Sequence, residues 1–256
     1  AELRRVDSRV QLTLTVGSDA TTAKPAYSAT AFIAPLAIFF IVAELISYEA
    51  DGEILPGRLI ALISVRIAAM FAAVAVFWKT YVKSFPVRVD GWAILVGLVG
   101  GAIWIGLCSL NLETRFLELL GLPVELLGSR DGVNPYEVYP DEGPPWLYVI
   151  LRFTLLVLAV PVAEELFLRG FLMRFVDATD WTQLPLTEIT TSGIVAGTIY
   201  GTVTHPSEFV AAAVWFSLVS LLMLKTGKFW NCVLAHAITN GVLGVYIMAT
   251  ETWRLW

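Results

Sequence analysis

Charge is what this sequence has least of. Of its 256 residues only 15% are Asp, Glu, Lys or Arg, against about a quarter in soluble domains. Cysteine and histidine are scarcer, at two each. Cys108 and Cys232 both lie in apolar runs, which leaves no support for a disulfide framework or a cysteine-based zinc site. No Gly-rich phosphate loop and no Asn-x-Ser/Thr triplet occurs. The net charge is −5 and the pI about 5.1, without a basic stripe; nucleic acid is not an expected partner. What is present instead is apolar: 57% of residues are hydrophobic and mean hydropathy is +0.73. Those values exclude a disordered chain and an ordinary soluble enzyme.

Ala1 to Tyr27 mixes charges around no central apolar stretch, so it does not read as a signal peptide. Residues 1–26 are expected to form a flexible tail and residues 27–256 a single transmembrane domain. A bilayer core about 30 Å thick needs roughly 20 apolar residues per helix. Seven runs qualify, at about 28–48, 59–82, 92–110, 146–172, 190–204, 208–224 and 229–249. Such long unbroken runs exclude a barrel, and backbone satisfaction in lipid leaves an all-α polytopic bundle. The fifth run has only about 15 residues, or about 22 Å of helix. It ends at His205-Pro206 and is expected to stop partway across, lining a polar cavity. Phe116 to Leu127 reads as a short amphipathic element on the membrane surface.

Seven spans would put Arg4, Arg5, Arg9, Lys24, Lys79, Lys83, Arg88, Arg174, Lys225 and Lys228 on one side. Arg58, Arg115, Arg130 and Arg254 fall on the other. Ten cations against four predict a cytoplasmic N-terminus, in a multi-pass protein of the bacterial inner membrane. Gly193, Gly197 and Gly201 share one helix face, as do Gly97 and Gly101; both are expected to be packing faces. Arg66 is expected to be structural or to snorkel, and Arg152 and Arg174 to be interfacial.

Against this background a few polar residues stand out. Glu164, Glu165 and Arg169 interrupt the fourth run, where each charge is costly. Glu165 and Arg169 are i, i+4 and can pair. Glu164 is rotated about 100° away and is left to act as general base or acid. Both histidines follow in the same half of the chain, and Asn240 lies one turn beyond His236. Two N–H donors on one face suit a developing oxyanion.

Glu164-Glu165-x-x-x-Arg169, then His205, then His236-x-x-x-Asn240 resemble the three motifs of the CAAX-processing and bacteriocin-processing intramembrane endopeptidases. Leu224-Lys-Thr-Gly-Lys-Phe-Trp-Asn-Cys-Val-Leu-Ala-His-Ala-Ile-Thr-Asn240 resembles the family's last block. The resemblance covers roughly residues 146–249, and its tone is closest to the prokaryotic subgroup found beside exosortase systems. One position departs: the family's aromatic four residues before the middle histidine is here Gly201, with Tyr200 one step earlier.

The resemblance implies a bundle of about seven to eight helices with a conical or cavity-containing catalytic core at 146–249. It implies an intramembrane protease acting on a membrane protein or lipidated peptide. Glu164 and His205 would activate water, His236 and Asn240 would hold the oxyanion, and Glu165 with Arg169 would support them. No cofactor is favoured. Zinc on Glu164, His205 and His236 is the metalloprotease alternative, although no His-Glu-x-x-His occurs. A proton-coupled transporter or a non-catalytic family member are the rival readings.

Overall fold

The computed structural model describes residues 28–128, 132–139 and 145–256; the expected tail at 1–26 lies outside them. Helix α1 (Ala29–Leu45) starts at Ser28, whose hydroxyl accepts from the Thr30 N–H, satisfying an orphan donor of the first turn. A small antiparallel ribbon follows, Glu49–Ala50 against Glu53–Ile54. Its turn is Asp51-Gly52, both at positive φ, the conformation an Asp-Gly hairpin turn requires. Pro56 then opens α2 (Pro56–Ser84), where its missing N–H costs nothing. Helix α3 (Gly91–Leu110) is capped by the Asp90 carboxylate, and a short α4 (Leu112–Leu119) continues it after a left-handed Asn111.

The long helix α5 spans Trp146–Asp177. It winds more widely over Thr154–Ala159 and Leu166–Leu172, where N–H groups reach five residues back. Pro161 has no N–H to offer, which accounts for the first of these π-type stretches. Helices α6 (Thr191–Thr204), α7 (Phe209–Thr226) and α8 (Phe229–Thr250) complete the bundle. The described helices share one buried apolar core, contributed by α1 to α3, α5 to α8 and the terminal segment to Trp256.

Each of the seven expected runs is helical, but they differ in length. Among the described residues, five segments are long and apolar enough to cross a membrane: Pro56–Ser84, Gly91–Leu119, Trp146–Asp177, Pro206–Thr226 and Phe229–Thr250. Helix α1 has 17 residues, and α6 has 14, which is about 21 Å. The surface element is also different. It is not one helix over 116–127, because Gly121 at φ +66 ends α4 and a separate 3-10 turn covers Val124–Leu127.

The glycine faces pack as expected. A Cβ on Gly97 would lie 2.7 Å from Ile238 Cβ, and one on Gly101 would lie 2.9 Å from Val242 Cγ1, so α3 and α8 touch backbone to side chain. Arg174, expected at the interface, is instead buried. It donates to the carbonyls of Leu184, Gly170 and Thr182 and ties the end of α5 to the linker before α6.

Candidate active site

Helix lengths decide which residues meet. Asp177 at the end of α5 accepts from the N–H and hydroxyl of Thr190 at the start of α6, so the two helices begin at one level. Glu164 lies 13 residues back from Asp177 and His205 lies 14 beyond Thr191, about 20 Å in each case. The short α6 therefore ends level with the carboxylate. His205 ends that helix, and its Nδ1 lies 3.0 Å from the Gly201 carbonyl and 3.0 Å from Thr204 Oγ1. Trp104 and Phe216 pack against its ring.

Glu165 and Arg169 are both fully buried. Arg169 Nη1 donates to both Glu165 oxygens, at 2.7 and 2.8 Å, and Nη2 donates to the Phe216 carbonyl at 3.2 Å. The i, i+4 pairing expected from sequence is present. Glu165 also faces His236 Nδ1 at 3.0 Å. A carboxylate held by a guanidinium has no proton to give, so the neutral ring carries its hydrogen on Nδ1. His236 Nε2 then bears the lone pair, 3.7 Å from Glu164 Oε2.

Glu164 accepts a hydrogen bond from the Tyr200 hydroxyl. Asn240 Nδ2 donates to the Leu156 carbonyl at 2.7 Å. Leu156 lies within the first wide stretch of α5, where irregular winding redirects backbone acceptors to side chains.

Glu164, His205, His236 and Asn240 all line one cavity of about 200 Å³, with Trp104, Leu156, Trp215 and Leu243 among its walls. The simple pair of free donors expected from His236 and Asn240 is altered. One amide hydrogen of Asn240 is engaged, and His236 offers Nε2–H only as imidazolium. Among the described residues, no three His, Cys, Asp or Glu side chains form a metal-binding group. Zinc would need Nε2 of His236 and a ring nitrogen of His205 turned to one point with Glu164.

Three participants escaped the sequence reading. Tyr200 reaches Glu164, and Phe216 of α7 fills the space beside Gly201, where a Cβ would come within 2.2 Å of that ring. Trp215 packs edge-on against His236 with centroids 4.6 Å apart. Its indole N–H donates to Thr239, whose hydroxyl donates to the Gly97 carbonyl. A Thr three residues after His236 was the available signal, and only the partner helix gives it meaning.

Residues 145–242 match the family model described as Type II CAAX prenyl endopeptidase Rce1-like. Over that segment, which is less than half of the chain, the sequence is similar to the CAAX protease family. The matched segment contains Glu164, Glu165, Arg169, Tyr200, His205, His236 and Asn240. That family is described as one of prenyl endopeptidases, and among the described residues five helices are long and apolar enough to cross a membrane. No curated protein and no solved structure matches the chain.

Proposed function

We propose that this chain hydrolyses a peptide bond of a membrane-associated protein or lipidated peptide within the cavity shared by Glu164, His205, His236 and Asn240. That shared lining is the observation that carries the reading. A water between Glu164 and His205 loses a proton to the carboxylate as its oxygen attacks the scissile carbonyl. The remaining amide hydrogen of Asn240, and Nε2–H of His236 once that ring is protonated, stabilise the oxyanion. The C–N bond then breaks and the proton passes to the leaving amine. Glu165 and Arg169 keep His236 in its tautomer. One membrane domain over 27–256, with its catalytic core at 146–249, carries the activity. The bacterial inner membrane, a cytoplasmic N-terminus and kinship with the exosortase-associated subgroup complete the proposal.

The test is cleavage of membrane peptides by purified protein. Glu164→Gln and His236→Ala are each expected to lose about 10²-fold or more in kcat. Variants cutting as fast as wild type would sink the assignment. Activity that disappears on thorough chelation and returns with zinc would replace it with the metalloprotease alternative. Proton-coupled uptake without cleavage would favour a transporter.

A further inference from the structure

A second cavity, larger than the active-site one, lies at the end of the bundle where α2, α5 and α7 stop. This groove of about 490 Å³ is bounded by the linker 85–90, the α5–α6 linker and the turn into α8. Its lining carries three cations, Arg88, Arg174 and Lys228, and no Asp or Glu. The side chains of Ser84, Thr182 and Thr187 add hydroxyls to it. Its apolar walls include Phe85 and Phe229, whose rings stack with centroids 4.4 Å apart.

The fold does not use up these charges. Arg174 is buried, but its three bonds go to carbonyls, which engage hydrogens without neutralising the cation. Nη1 and Nη2 each carry a second hydrogen. Asp180 acts on the guanidinium from outside the lining. Lys228 is paired with Asp90, whereas Arg88 is exposed and makes no ion pair with a described carboxylate. Ser84 Oγ is buried and has no hydrogen-bond partner among the described residues. A buried hydroxyl in that state is costly and calls for an acceptor.

The surroundings place the groove at headgroup depth. Trp78 and Trp230 pack together at 5.8 Å, Trp230 Nε1 donates to the Phe85 carbonyl, and Lys225 lies over Trp92. Indoles gather at the membrane interface, and basic pockets between helices there receive anionic headgroups.

We infer that this groove binds the phosphate of an anionic phospholipid. Arg88 and the second hydrogens of Arg174 hold the phosphate oxygens, a pairing that guanidinium geometry favours, and Ser84 donates a further bond. Depth assigns the phosphate to a lipid. The occupant touches the linker that sets the start of α6, and so braces the helix that ends at His205.

Native mass spectrometry of the full chain in detergent tests this, with phosphatidylglycerol or phosphatidylcholine of the same acyl chains titrated in. Wild type is expected to hold one phosphatidylglycerol in preference to phosphatidylcholine, a comparison that needs no variant. Arg88→Gln is expected to weaken phosphatidylglycerol about fivefold or more and to leave phosphatidylcholine unchanged. Lys83→Gln removes another exposed cation at the same end, outside the lining, and is expected to change little. Equal binding of the two lipids overturns the inference. So does an equal loss in both variants, which would mean diffuse surface charge. Inorganic phosphate that displaces the lipid at equal concentration would make free phosphate the ligand, and the lipid assignment fails. Binding is read without cleavage, so each of these results leaves the proteolytic proposal to its own test.

Discussion

Two histidines in 256 residues make each ring of the proposed site individually observable. Arg169 fixes Glu165, Glu165 faces His236 Nδ1 at 3.0 Å, and Trp215 covers the ring from α7. Selective ¹⁵N-histidine labelling of the full chain in lipid gives two ring systems, assigned by removing either histidine. Neutral His236 is expected to show hydrogen on Nδ1 and a lone pair on Nε2. Glu165→Gln replaces an acceptor by an amide that can donate, so hydrogen moves to Nε2 and kcat falls by about 10²-fold or more, with KM little changed. A wild-type ring protonated at Nε2 refutes this relay. Asn240 is a structural acceptor's partner as well as a site residue. Its loss would strand the Leu156 carbonyl, a cost of about 1–3 kcal/mol for a buried group, so stability must be measured beside rate for any Asn240 variant.

At the scale of helices, the contact of α3 with α8 carries the site, because Thr239 reaches the Gly97 carbonyl across it. Gly97→Ala puts a methyl 2.7 Å from Ile238 Cβ and 2.9 Å from the Ala235 carbonyl. The helices must separate, and a loss of about 1–3 kcal/mol is expected, read as a lower Tm together with slower cleavage. Gly106→Ala on the same helix meets nothing within 4 Å and serves as the neutral control; equal effects at both positions would remove the close-contact explanation. The packing faces at Gly97 and Gly193 were legible in the sequence because four-residue spacing of small side chains has one geometric meaning. What they pack against was not legible. Gly193 meets the Met173 carbonyl, and Gly201 meets Phe216, and neither partner is marked by any pattern. The wide winding of α5 was missed for a related reason: Pro161 signals a lost hydrogen bond, but not how the neighbouring turns absorb it.

For the whole molecule, a polar latch joins the α2–α3 linker to the start of α8. Asp90 accepts from Lys228 Nζ at 2.7 Å and from Asn231 Nδ2 at 3.0 Å, and its own N–H donates to Asn231 Oδ1. The hydrogen bond from Lys228 is the main influence holding the Asp90 carboxyl below its ordinary value. A carboxyl depressed in the folded state contributes stability that is fully present above the unfolded pKa, near 3.9, and lost as pH falls through the lower folded value. Thermal stability is therefore expected to fall on acidification below about pH 4. Asp90→Asn should be less stable than wild type at neutral pH and converge with it in acid. A constant gap between the two across that range would show that the latch does not titrate.

The sequence by itself determined the class of molecule and named the candidates for its site. Apolar runs too long for a soluble fold require helices in lipid, since no other backbone satisfies itself there. Charges inside such runs are too costly to be incidental, and this singled out Glu164, Glu165 and Arg169. Only the tertiary structure decided how many helices are long enough to cross and how the polar groups divide their bonds. Those outcomes depend on helix ends, on a 14-residue α6 that stops level with Glu164, and on contacts between residues as far apart as Glu165 and His236. Local spacing fixes which residues share a helix face, whereas the pairing of faces is settled by packing among all the helices together.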